Sequence, residues 1–125
     1  MNETSEVPRA HHDVGGLPAS DPIDRTEHPL LPWEVRTDAL MWTLTDATRP
    51  GGPLMSVDEL RRGIEALPAS DYRSLGYFEK WLLSMIAVMT EKGALSKEKL
   101  EERAAALTHA HEDEHARQEK HGRLQ

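Results

Sequence analysis

The sequence predicts a mainly α protein: an extended N-terminal arm, a small bundle of about four helices and a polar C-terminal tail. Three observations carry this. Five prolines stand within the first 32 residues (Pro8, Pro18, Pro22, Pro29 and Pro32), apolar residues recur at helical spacing from Trp33 onward, and clear start and stop signals punctuate the middle of the chain. At 125 residues there is room for one domain with a single modest core.

The arm, residues 1–32, has no sustained apolar period. Its prolines fix φ and remove amide donors, so neither helix nor central strand is available. The first helix follows, with Trp33, Thr37, Leu40, Met41 and Leu44 on one face, and its period stops at RPGG, residues 49–52. In the segment MSVDELRRGIEAL, Ser56 and Glu59 form a capping box, and Met55 and Leu60 are placed as a hydrophobic staple across it. Val57, Leu60, Ile64 and Leu67 share the apolar face of this second helix, which puts Arg61 and Arg62 beside and behind that stripe; Pro68 ends it. The segment SDYRSLGYFEKWLLSMIAVMTEKG predicts the third and central helix. Its face is Tyr77, Trp81, Leu82, Met85, Ile86 and Met89, and Gly93 suits the left-handed position after its end. Leu95 and Leu100 bracket Ser96 as a second staple and open a short fourth helix through Leu107. Residues 108–125 are polar all round.

Composition excludes several chemistries. Without cysteine there is no disulfide, no thiolate metal cage and no thiol nucleophile. A net charge of −7, with basic residues interleaved among acids, argues against nucleic acid as a partner. The N-terminus lacks the pattern of a secretory signal and no apolar run approaches the roughly 20 residues that span a bilayer, so no membrane partner is expected and a cytoplasmic location is. A mean hydropathy of −0.64 is low for a self-sufficient globule and suggests a core completed on a partner.

Two histidine clusters invite a metal reading. HHDVGG, residues 11–16, offers His11, His12 and Asp13 beside Gly15 and Gly16, but no second ligand cluster stands at a supporting distance, and a turn in an arm that packs on something else is the simpler reading. HEDEH, residues 111–115, fits the H-E-x-x-H signature of zinc proteases, and His121 stands where one subclass has a third histidine. That subclass needs a glycine before the third ligand, and Gln118 occupies its place. On an unbroken helix His121 would point about 80 degrees away from His111. A solvated charged tail is the simpler reading, leaving weak binding of a divalent ion by His111 and His115 as what the motif can still do. The Tyr77 and Trp81 pair reads first as core, though a phenol at the start of a helix can line a cavity.

Taken in order, HDVGG, the proline-rich arm, WE (Trp33, Glu34), SVDELR, GYFEKWL and EKGALSKEKL resemble the N-terminal half of the nitrile hydratase β subunit, over residues 12–103. The spacing from Arg61 through Tyr77 to Gly93 agrees with the family without gaps. The resemblance implies a subunit of a hydro-lyase that adds water to a nitrile to give an amide. The low-spin cobalt(III) or iron(III) would sit in the cysteine claw of a partner catalytic subunit, with two cysteines oxidised, and no metal or cofactor would be bound by this chain. Family β subunits continue into an SH3-like barrel, before which this sequence stops. A three-subunit arrangement, as in toyocamycin nitrile hydratase and thiocyanate hydrolase, would place that barrel on a separate polypeptide.

The resemblance further implies roles residue by residue. Arg61 matches the arginine whose guanidinium bonds the oxidised cysteine oxygens of the partner. Tyr77, with Trp81, belongs near the substrate pocket. His12, Asp13, Gly15, Gly16 and Trp33 belong to an arm that wraps the catalytic subunit, the glycines permitting close backbone approach. Two other readings share the architecture. One is an accessory activator that delivers metal, which PWEVR (residues 32–36) and the histidine-rich tail would suit. The other is the β subunit of a thiocyanate hydrolase.

Overall fold

A computed structural model describes residues 8–18 and 21–122, with side chains to residue 120. Residues 1–7, 19–20 and 123–125, and the side chain of His121, lie outside the described residues. Five helices follow one another: α1 (Pro32–Leu44), α2 (Val57–Glu65), α3 (Ala69–Ser74), α4 (Tyr77–Glu91) and α5 (Lys97–Gly122). Among the described residues there is no strand. The chain forms two compact units, residues 1–88 and 89–125, so the last turn of α4 belongs to the second.

In the first unit, residues 8–18 and 21–31 are without helix and largely exposed, as the prolines dictate. Pro32 then takes the first position of α1, where its missing N–H is not needed. Glu34 reaches back to accept a hydrogen bond from the Leu31 N–H at 2.7 Å. Leucine has no side-chain oxygen to return the bond, so only this half of a capping box forms. Thr37, Met41 and Leu44 turn inward, while Leu40, expected on the same face, remains 42% exposed. The chain returns to the end of α1 through the Leu54 and Met55 N–H groups, which both donate to the Leu44 carbonyl.

The full capping box is present at α2: the Glu59 N–H donates to Ser56 Oγ at 3.1 Å, and the Ser56 N–H donates to Glu59 Oε2 at 2.8 Å. Met55 and Leu60, the staple pair, are both buried. The segment read as one central helix is two. Leu75 is extended (φ −79°, ψ 146°), and Gly76 restarts the chain by donating its N–H to Glu79 Oε2 at 2.7 Å. A glycine with a carboxylate three residues on favours a new helix start over continuation. The remaining buried apolar residues of this unit are Met85 and Val88, both from α4.

In the second unit, α4 closes in a Schellman motif. The Gly93 N–H donates to the Thr90 carbonyl at 3.0 Å and the Ala94 N–H to the Met89 carbonyl at 3.0 Å, with Gly93 at φ 71°. Ser96 opens α5, accepting from the Lys99 N–H at 3.4 Å. Leu107 is not its end: the polar residues from 108 continue the helix to Gly122. No proline or glycine interrupts residues 97–121, and local terms suffice, with good helix formers and pairs such as Lys97 with Glu101 at 3.7 Å. Every described side chain from residue 101 to 120 is exposed.

Candidate functional site

Arg61 stands one residue past Leu60 on α2, about 100 degrees around the helix from that buried contact. Its side chain is 72% exposed, with Nη1 4.0 Å from Asp58 Oδ1. An ion pair this long and this exposed contributes little, and the fork of the guanidinium faces outward. What fixes its direction is the seat of α2 on α4. The Ser84 hydroxyl, fully buried, donates to the Leu60 carbonyl at 2.7 Å. Gly63 lies directly against the same serine: a Cβ there would overlap Ser84 Oγ and stand 3.0 Å from Ser84 Cβ. The helix that carries Arg61 is therefore held in both register and distance.

At the start of α4, Tyr77, Phe78 and Trp81 form an aromatic cluster. The rings of Tyr77 and Trp81 lie 5.0 Å apart and those of Phe78 and Trp81 5.6 Å apart. Tyr77 is 66% exposed, so it presents a surface instead of filling the core. A separate open groove of about 760 Å³ is lined by Trp42, Asp46, Pro53, Met55 and Val57. Asp46 there accepts from the hydroxyl and the N–H of Thr48, and these two bonds hold its carboxyl below its ordinary value.

HHDVGG is an organised turn. Arg9 Nη1 donates to the Gly15 carbonyl at 2.6 Å, and the Gly15 N–H donates to Asp13 Oδ1 at 2.9 Å. A side chain on Gly15 would meet that same oxygen at 3.1 Å, and Gly16 has φ 73°. His11 and His12 lean toward Tyr72 of α3, ring centroids 5.2 and 6.5 Å away, and Lys80 Nζ stands 4.6 Å from the centroid of the same ring. Trp33, at the head of α1, is 36% exposed, and its carbonyl accepts from Thr37 Oγ1 at 2.8 Å.

The structure places Tyr77 beside Trp81 and Arg61 at the surface, whereas the sequence-based reading takes the aromatic pair first as core, where Tyr77 does not lie. That reading misses Tyr72 as the seat of the histidines, Phe78 in the cluster, and the Gly63 and Ser84 lock. The last had a signal: an isolated glycine on the apolar side of an amphipathic helix marks close approach. The chain's donors do not fit a cobalt or iron centre of the hydratase type. It has no cysteine, and among the described residues no three His, Cys, Asp or Glu side chains converge on a point. Nor is any helix among them long and apolar enough to cross a membrane.

Fold and site together define a mainly α protein with Arg61 and Tyr77 exposed on its first unit. Comparison with curated proteins and with solved structures gives no match. The family model described as nitrile hydratase beta subunit, N-terminal, matches residues 9–124, and the chain belongs to that family.

Proposed function

We propose that this chain is the β-type subunit of a nitrile hydratase, completing the active site of a separate, metal-carrying catalytic subunit in the cytoplasm. It contributes no ligand to the cobalt or iron centre. Its part is to deliver Arg61 to the catalytic subunit and to present the Tyr77 and Trp81 cluster near the nitrile. The observation that carries this reading is Arg61 itself: a permanently charged, planar fork, outward-facing, on a helix capped by Ser56 and locked by Ser84. Such a fork holds two anionic oxygens at once, and oxidised cysteine oxygens on a partner are ligands of that kind. His12, Asp13, Gly15, Gly16 and Trp33 serve the contact with the catalytic subunit.

Kinetics on the reconstituted complex test the proposal. Arg61→Lys keeps the charge and the assembly but loses the fork. Charge-assisted hydrogen bonds contribute about 1.5–3 kcal/mol each, so losing two that act in the transition state costs on the order of 100-fold or more in turnover. Arg62→Ala, on a residue directed about 100 degrees away, retains turnover in the assembled complex, and Tyr77→Phe gives a milder loss than Arg61→Lys. Near-normal turnover of the Arg61→Lys complex on a nitrile substrate would reject the assignment.

A further inference from the structure

We propose that His111 and His115 form a two-imidazole clip for one exchangeable divalent transition ion of the nickel, copper and zinc class, on the exposed face of α5. Four residues apart on one continuous helix, the two side chains lie one above the other. Their ring centroids are 6.5 Å apart. An ion bound at about 2.1 Å from one nitrogen of each ring, in tetrahedral geometry, brings the centroids to about 5 Å. The side chain of His115 is 67% exposed and His111 lies in an exposed stretch, so side-chain rotation alone closes that gap.

The surroundings favour a cation. His111, Glu114, His115 and Gln118 line one shallow groove, which puts a carboxylate beside the pair. Glu119 Oε1 stands 3.7 Å from His115 Nδ1. A carboxylate at one ring nitrogen orients an imidazole and leaves Nε2 to the metal. His109 has no histidine three or four residues away to share an ion, although its Nδ1 is 3.6 Å from Glu112, and His11 and His12 lean toward Tyr72. With only two protein ligands, water fills the remaining positions and the ion exchanges. Imidazole ligands and the general order of divalent affinities favour nickel, copper and zinc over ferrous iron. Because the pair is formed only when residues 111–115 are helical, the ion also stabilises α5 through linkage. None of this depends on the hydratase reading.

The test is calorimetric titration of the full, tag-free chain with Ni²⁺ in a non-chelating buffer, beside NMR of the imidazole protons with Zn²⁺. The expected result is one saturable site per chain that His111→Ala or His115→Ala each weaken by about tenfold or more. His109→Ala and the double variant His11→Ala/His12→Ala leave it unchanged, and Zn²⁺ shifts the resonances of His111 and His115 ahead of the rest. His11, His109, His111 and His115 are exposed and His12 is half-buried, and unchanged helix content without metal shows that the variants are folded. Absence of a saturable site, an affinity indifferent to both His111→Ala and His115→Ala, or an equal loss in the His11/His12 variant would overturn the proposal.

Discussion

Replacing Gly63 by alanine tests whether the packing of α2 on α4 decides the position of Arg61. The added Cβ would overlap Ser84 Oγ and stand 3.0 Å from Ser84 Cβ and 3.3 Å from Ser84 Cα. Rotating the serine relieves only the first of these clashes, because the other two involve the side-chain stem and the backbone of α4. Restoring ordinary carbon separations moves α2 outward by about 0.5 Å or more, which stretches the 2.7 Å bond from Ser84 to the Leu60 carbonyl. Overpacking costs about 1–3 kcal/mol, and a buried hydroxyl left without its acceptor costs about 1–3 kcal/mol. Against these, alanine gains about 1 kcal/mol over glycine in a helix interior. The net is a destabilisation of roughly 1–5 kcal/mol, a large share of the stability of a small domain.

Urea unfolding followed by circular dichroism reads this directly. With a denaturant slope of about 2 kcal/mol per molar, the midpoint falls by about 0.5–2.5 M. Adding Ser84→Ala to Gly63→Ala removes the hydroxyl but leaves the side-chain stem and the α4 backbone in the way. It therefore recovers only part of the loss, and the two substitutions are non-additive. If packing did not matter, helix propensity alone would make Gly63→Ala more stable than the parent. A midpoint equal to or above the parent's refutes the lock.

The remaining predictions are more local. Gly93→Ala forces a side chain into the left-handed region at φ 71°, and unfolding should show a loss of about 1 kcal/mol; an unchanged midpoint would mean that the Schellman turn is not needed to end α4. The bonds from Thr48 hold the Asp46 carboxyl below its ordinary value of 3.8, so the turn after α1 is stabilised above that pH and the contribution is lost as pH falls through the lowered folded value. An NMR titration should find Asp46 below 3.8, and moved upward in Thr48→Ala; a carboxyl at or above its ordinary value would contradict the geometry.

What residues a few positions apart could settle was legible in the sequence. Prolines kept residues 8–18 and 21–31 out of helix, Ser56 and Glu59 fixed the start of α2, Gly93 fixed the stop of α4, and the order of blocks from HDVGG to EKGALSKEKL identified the family that the family model then matched. Each is a choice of backbone conformation made by local sterics and local hydrogen bonds. Legibility failed where two local rules competed or where the partner was distant. Gly76 divided a segment whose apolar period runs on, because the capping bond its N–H donates to Glu79 outweighed continuation. Residues 108–122 stayed helical on propensity without an apolar stripe to announce it. Periodicity names the residues that share a face, but not the atoms they meet. Only the tertiary structure decided that Leu40 stays outside, that Tyr72 receives His11, and that Ser84, distant in sequence, closes on Leu60 and Gly63. Packing of one helix on another selects those neighbours, and through them the direction in which Arg61 faces.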